Sequence, residues 1–441
     1  MKKPSFRPLL TATAAAAACL LPAMGAHAQT TLQSPGGQPG ESAAQPAGQS
    51  MAIPMGQGMS VPMSPAQSIS QPFPPTTALP LEGDREGLRF RASAGVERDS
   101  NVSRVNTGEI SDTITSVGVG LRFNKRYSLQ RVVLDVAADH YRFDKLDTNY
   151  TTLNYSAAWY WAVGNVLDGV ASAERRQFRD VTANGLVSAL NRRTESNELV
   201  EGRYKIGASY RLLAGIQHTA SRSTDPTAWD GNPDVTSGRV GVQYESARGS
   251  TVTARYRHGD GDYNNALAPK FKDDEVTLAV HWAVSPITAV DATIGNLRRE
   301  HEGASARNFD GAIGSLGVTW DATAKTRLVA GYSRDLGSYL LGSGGHVESD
   351  RVFVGPVWRI TTQTALSARV EHENRKWVDV GGATIDVGRG DKFDVVALGL
   401  DWQPWRTVGV SAQYRNEKRS SSVPIFNYRA NVVGLAVKLN I

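Results

Sequence analysis

From Leu88 to Ile441 apolar and polar residues alternate with a period of two, broken at intervals by runs of Gly, Asp, Asn and Ser. The stretch around Trp320 shows the unit. Before it, Ala312, Gly314, Leu316, Val318 and Trp320 alternate with Ile313, Ser315, Gly317 and Thr319. A polar run follows at 321–325, and then Leu328, Ala330 and Tyr332 alternate with Arg327, Val329, Gly331 and Ser333. Period two gives a strand two different faces, which a helix cannot do. Each arm keeps the alternation for about ten residues, the length at which a tilted strand matches a bilayer. Repeated and closed, this hairpin makes an all-β protein: a transmembrane antiparallel up-and-down β-barrel.

The connections are of two kinds, and they interleave. Short ones fall at 124–130, 164–165, 207–209, 246–249, 285–286, 321–325, 361–363 and 403–406. Longer, Gly/Asp/Asn-rich ones fall near 99–111, 144–149, 180–193, 223–234, 260–273, 301–308, 337–348, 376–390 and 418–427. They divide residues 85–441 into about eighteen strands, sixteen being the neighbouring even count. Both barrel ends then lie on one side, with short turns in the periplasm and long loops outside.

Tryptophans support the same register. Trp161, Trp282, Trp320, Trp358 and Trp402 each stand on the apolar face just before a short turn. Indole prefers a membrane–water interface, so these five predict a girdle at the short-turn level. Tyr256, Tyr332 and Tyr414 share that face nearer the outer end. The last strand carries Val433, Leu435, Val437 and Leu439 on one face and ends at Ile441, without a terminal aromatic.

Composition narrows the alternatives. The chain has 441 residues, and a mean hydropathy of -0.32 is too polar for a bundle of membrane helices. A barrel hides its membrane character because every second residue can be polar. Several soluble β-sandwiches would need linkers, and none interrupts the pattern after about residue 87. Residues 1–28 read as a secretory signal: Lys2, Lys3 and Arg7, an apolar stretch from Leu9 to Met24, and Ala26-His27-Ala28 before Gln29. The single cysteine, Cys19, lies inside it and lacks a lipobox, so the mature chain has no thiol chemistry. Removing the signal lowers the formal charge from +5 to about +2, which gives no electrostatic case for nucleic acid.

Residues 29–84 are rich in Gln, Pro, Gly, Ser and Met, too polar to offset their ordering entropy, and are expected to be a disordered periplasmic arm. Met51, Met55, Met59 and Met63 recur at every fourth position, a spacing that invites Cu(I). Pro54, Gly56, Gly58 and Pro62 forbid the helix that would align the sulfurs, which favours simple low complexity.

If the tryptophan face meets lipid, the opposite face lines a lumen. It carries Arg89, Arg91, Glu97, Arg122, Asp135, Asp139, Glu174, Arg176, Glu201 and Arg203, then Arg255, Arg257, Arg327, Arg359, Arg369, Glu371 and Arg415. Inward charge requires a wet interior or mutual pairing. Two readings follow: a path for a polar or anionic polymer, gripped by guanidinium forks, or a wall braced by Arg–carboxylate pairs. Catalytic candidates are poor. His140, His258 and His372 fall on the lipid-side register near the outer rim, but no serine is singled out beside them. Asp260-Gly261-Asp262-Tyr263-Asn264 opens like a calcium loop, yet Asn265 and Phe271 occupy the positions that need glycine and a bidentate carboxylate. No metal or cofactor is assigned.

Several stretches resemble the EpsL-type outer-membrane β-barrels of exosortase-associated exopolysaccharide clusters. The likeness lies in Arg89-Phe90-Arg91-Ala92-Ser93-Ala94-Gly95-Val96-Glu97-Arg98-Asp99-Ser100-Asn101-Val102 and in Ser111-Asp112-Thr113-Ile114-Thr115 with Gly118-Val119-Gly120-Leu121-Arg122-Phe123. It continues in Tyr127-Ser128-Leu129-Gln130-Arg131, Tyr141-Arg142-Phe143, Tyr155-Ser156-Ala157-Ala158-Trp159 and the unit at 320–328, and spans most of 85–335. The resemblance implies an outer-membrane conduit that exports an exopolysaccharide chain, fed by periplasmic export or co-polymerase proteins and surrounded by outer-membrane lipid, with no catalytic residues. A general diffusion porin for small polar solutes is the alternative, with the loop at 376–390 as a candidate plug; a barrel hydrolase comes third.

Overall fold

The structure is a computed structural model describing residues 86–179, 191–224, 233–263, 269–339, 345–379 and 388–441. The signal segment, the methionine-rich arm and most of the candidate plug lie outside these residues. Eighteen strands follow one another: β1 (Gly87–Asp99), β2 (Asp112–Tyr127), β3 (Gln130–Phe143), β4 (Thr148–Val163), β5 (Leu167–Arg179) and β6 (Arg192–Ile206). Then come β7 (Tyr210–Ser223), β8 (Pro233–Glu245), β9 (Thr251–Tyr263), β10 (Phe271–Ser285), β11 (Thr288–His301) and β12 (Phe309–Asp321). The last are β13 (Thr326–Tyr339), β14 (Gly345–Arg359), β15 (Thr364–Asp379), β16 (Gly390–Trp405), β17 (Val408–Ser421) and β18 (Tyr428–Asn440). Each pairs antiparallel with its sequence neighbours, and β18 returns to β1, so the sheet closes into a barrel.

The strands run 13 to 16 residues, longer than the ten read from the sequence. Most of the excess lies at the long-loop end, although β2 and β16 also run into residues read as short turns, to Tyr127 and Trp405. Between β13 and β14, where a loop was expected over 337–348, pairing continues through Asp335↔Ser349 and Gly337↔Val347. Backbone pairing does not need lipid, so strands extend past the apolar band wherever alternation persists. At the other end the turns are tight: Gly164 and Gly207 begin two of them at φ 63° and 64°, where a Cβ would be strained.

Burial along β1 alternates strictly. Leu88, Phe90, Ala92, Ala94 and Val96 are exposed on the outside, and Arg89, Arg91, Ser93, Gly95 and Glu97 point in. Around the barrel, Val119, Ile216 and Ile294 stand 66, 65 and 68% exposed on the same outer face. A continuous apolar wall of this kind suits lipid and not water. Among the described residues the interior holds no single apolar core. Small clusters sit near the long loops, among them Leu297, Phe309, Ile313 and Leu336, and Val102 with Ile114 and Phe143.

Leu336 marks an irregularity. Pairing between β12 and β13 runs from Asp321↔Arg327 only to Gly314↔Arg334, although both strands continue. Beyond it Leu336 leaves the outward parity of Tyr332 and packs inward against Leu297, Phe309 and Ile313.

The seam between β1 and β18 is closed by backbone and then by a loop. Phe90 and Ile441 exchange N–H···O bonds of 2.8 and 2.9 Å, and the register runs on to Asp99↔Val432. Past it, the Ser100 N–H bonds the Asn431 carbonyl at 2.9 Å, and the Asn431 N–H bonds Ser100 Oγ at 2.8 Å. Asn101 Nδ2 reaches the Arg429 and Val105 carbonyls. Arg104, in the same loop, bonds both Asp99 oxygens and Glu417 Oε2 at 2.8 Å, all three side chains being almost fully buried. Burial opposes its charge, but the Glu417 and Asp99 carboxylates outweigh that, so it titrates above the ordinary arginine range.

Arg104→Ala is expected to weaken closure by on the order of 3 kcal/mol, the low end for breaking a buried pair, because Arg179 and Arg415 still reach the two carboxylates. Heat-modifiability on a gel should show a lower unfolding temperature, with Arg104→Lys in between. An unchanged midpoint would mean the loop does not hold the seam.

Candidate functional site

Every charged residue assigned to the lumen from sequence lies on the inward parity of its strand, but they fall into two environments. Near the short turns the side chains are partly wet. Arg91 pairs with Asp135 and Arg203 with Asp168, Arg211 bonds Glu245 at 2.7 Å, and Arg327 grips Asp321 through two bonds of 2.7 and 3.0 Å. The Asp139 carboxylate lies over Gly118, where only a glycine leaves it room. Arg89 stands directly opposite Arg122, and at the mouth Arg126 stands opposite Arg131. Arg359 ends β14 at the same level, and Asp401 near the end of β16 is buried.

From mid-strand toward the long loops most of the charges are buried and joined. Glu201 is shared by Arg239 at 2.8 Å and Arg255 at 3.4 Å, and Arg257 bonds Glu275 at 2.6 Å. Arg299 holds Asp273 through two 2.7 Å bonds and lies 3.9 Å over the Phe271 ring. A chain of pairs crosses β14 and β15: Arg369–Glu371, Arg351 between Glu371 and Glu373, and Glu373–Arg375. Further round, Asp391 joins Arg389 and Arg419, and Glu417 joins Arg415 to Arg104. Side-chain exposure grades from one tier to the other: Arg239, Glu201, Arg299 and Asp273 show 4, 2, 2 and 1%, Arg91 and Asp135 15 and 20%, and Arg327 and Asp321 28 and 39%, with Arg369 at 27% the wettest member of the joined set. Pairing makes the buried tier tolerable, since an unpaired charge there would carry its full desolvation cost. Its guanidiniums also stack on rings, Arg389 over Trp377 at 4.4 Å and Arg375 over Phe393 at 4.2 Å.

Of the remaining inward residues, Glu97 lies 3.5 Å from Gln413 Nε2, Glu174 opposes Asn197 across β5 and β6, and Arg176 stacks over Phe178 at 5.3 Å. The sequence pointed to these side chains but not to their partners. It also passed over Arg104, Arg299's aromatic clamp, and the Arg389–Asp391–Arg419 group. Arg389 and Asp391 sit at or beyond a strand end, where the parity signal stops.

On the outer wall, Trp282, Trp320, Trp358 and Trp402 are exposed beside the short turns. Trp161 lies flat instead: a Cβ on Gly169 would meet its indole at 2.3 Å, and Gly202 lies beneath it too. Trp159 and Trp405, unassigned from sequence, are exposed near the same end. Outward histidines pair across hairpins, His140 with Thr151 at 3.0 Å, His258 with Asp274 at 2.8 Å and His372 with Asp394 at 2.7 Å. Their partners are a threonine and two carboxylates, which do not make a nucleophilic triad. Asp260 to Tyr263, read as the start of a loop, belong to β9, which places their backbone in the sheet. Two exterior concavities, one across β6–β9 and one beside Trp320, are lined mainly by apolar and small residues of the wall.

Residues 280–441 match the family described as "Putative beta-barrel porin 2". No curated protein matches the chain. Among solved structures, OccAB4 of Acinetobacter baumannii is similar at 10% identity and a TM-score of 0.46, over 82% of this chain and 100% of that one. OpdK from Pseudomonas aeruginosa gives 10% and 0.46, over 80% and 99%. OccK2 (OpdF) of Pseudomonas aeruginosa in complex with glucuronate gives 12% and 0.46, over 80% and 96%.

The two tiers should respond differently to mutation. Glu201→Gln removes the carboxylate that Arg239 and Arg255 share and is expected to cost on the order of 3 kcal/mol. Arg327→Ala, at a wet pair, should cost about 1 kcal/mol or less. Reversible denaturant unfolding in detergent or bilayers measures both; equal costs would mean that burial does not distinguish the tiers.

Proposed function

We propose that this chain forms a porin-like conduit through the outer membrane for small polar solutes, with a preference for anions. The observation that carries the reading is the pair of like-charged contacts on adjoining hairpins, Arg89↔Arg122 and Arg126↔Arg131, facing the short-turn end of the bore. Like charges directly across a sheet repel. Lys438, on the inward parity of β18, adds to the same sector, and Asp135 and Asp139 are its nearby carboxylates. A wet vestibule of this charge draws anions in and releases them again, because guanidinium contacts in water are individually weak.

A second reading is export of a secreted polysaccharide. It is supported by the spread of hydrogen-bonding side chains around the whole bore, which suits a chain held by many weak contacts. In this reading the short-turn vestibule is the entrance, and periplasmic export proteins deliver the chain to it.

Reconstituted in planar bilayers, the full chain is expected to conduct and to pass anions several-fold better than cations. Replacing Arg89 and Arg122 together with glutamate should move the reversal potential toward cation preference while the barrel stays folded. A folded barrel that is silent, or whose selectivity ignores both changes, would remove the first reading. Gene deletion tests the second: polysaccharide should build up in the periplasm and fall in the medium, and unchanged secretion would exclude it.

A further inference from the structure

We propose that the outer wall of β16, β17 and β18 binds the phosphorylated headgroup of an outer-leaflet lipid through Lys392, Lys418 and Arg429. All three side chains are exposed and outward-facing. Lys418 stands directly opposite Arg429, and Lys392 is opposite Ser420, one outward position further along. Cross-strand Cβ atoms lie about 5 Å apart, so the two cations are in direct repulsion unless an anion sits between them.

The described residues place no anion between them. No described carboxylate forms an ion pair with any of the three. Asp394 faces Lys418 across the sheet, but its Oδ1 is hydrogen-bonded to His372 Nδ1 at 2.7 Å. Below the cations the wall is layered. Tyr414 and Asn416 both bond Asn431 Oδ1, at 3.0 and 2.7 Å, and beneath them Val396, Leu398, Val433 and Leu435 are exposed and apolar. Lys418 is four residues beyond Tyr414 in β17, roughly 10 Å up a tilted strand. That height is where phosphate groups lie when the tyrosine marks the edge of the hydrocarbon, and a lysine or arginine near such a surface adds attraction.

The feature is local. On the wall of β9 to β12 the corresponding outward positions carry Asp260, Lys272, Asp274, Arg298, Glu300 and Asp310, where acids outnumber bases. A general charge belt would not differ in sign between the two walls.

The test uses the purified full chain in detergent, titrated with bisphosphorylated lipid A, the same lipid dephosphorylated, and inorganic phosphate. Thermal unfolding of the barrel is the readout. The bisphosphorylated lipid should raise the midpoint, and the other two should not. The triple change Lys392→Gln, Lys418→Gln and Arg429→Gln should weaken the apparent affinity roughly tenfold or more, whereas Lys272→Gln on the wall of β9 to β12 should leave it unchanged. If the triple variant does not fold, Lys418→Gln and Arg429→Gln are measured singly, each with a several-fold loss expected. Equal protection by dephosphorylated lipid, equal protection by inorganic phosphate, or full affinity in the folded variants would each overturn the proposal.

Discussion

A strand in hydrocarbon has no water to satisfy its N–H and C=O groups, so the sheet must find every partner within itself. The fold therefore depends on the meeting of β1 with β18. Other neighbouring strands adjoin in sequence and are held by connections as well as hydrogen bonds. This seam joins residues at opposite ends of the barrel domain, and it is reinforced accordingly. The Phe90–Ile441 exchange secures one end, and the loop with Ser100, Asn101 and Arg104 secures the other. Arg104 sits in the left-handed region at φ 52°, uncommon for a side chain of its size, and three oxygens of two carboxylates hold it there.

Closure creates an interior, and the interior has to be filled or wetted. Here it is both. Toward the long loops arginines and carboxylates are packed into mutual pairs and laid over aromatic rings, which makes a rigid collar of polar atoms. Toward the short turns the same residue types are more hydrated, and Arg89 and Arg126 stand opposite Arg122 and Arg131, with Asp135 across from Arg122. The same alternation of inward charge thus gives bracing in one half and an electrostatic field in the other. What differs is hydration, because the Coulomb attraction that stabilises a dry pair is largely screened in a wet one.

Much of the wall was legible because period two assigns each residue a face without knowledge of its neighbours. Arg89, Glu201 and Arg369 could be placed inward from parity alone. Their partners could not, since Glu201 and Arg255 lie 54 residues apart on strands that do not adjoin. Strand ends were read short because polar outward residues such as Asp260 and Lys418 signal loop composition while the backbone remains paired. Parity assigns Trp161 to the outer face, yet its flat pose depends on Gly169 and Gly202, two glycines on the next two strands. Leu336 breaks parity outright, and nothing local to it foretells that.

That break also sets how the wall can deform. Around most of its circumference the cylinder is laced by continuous hydrogen bonds, so bending it anywhere costs many bonds at once. Beyond Gly314↔Arg334 the β12 and β13 edges are held by side-chain packing around Leu336. Packing slides at a smaller energetic cost than hydrogen bonds break. Among the described residues the barrel therefore has two compliant meridians toward its long-loop rim, this one and the line where β4–β5 pairing stops at Tyr155↔Arg175 although both strands continue, and thermal breathing of that rim concentrates there and not at the clamped seam.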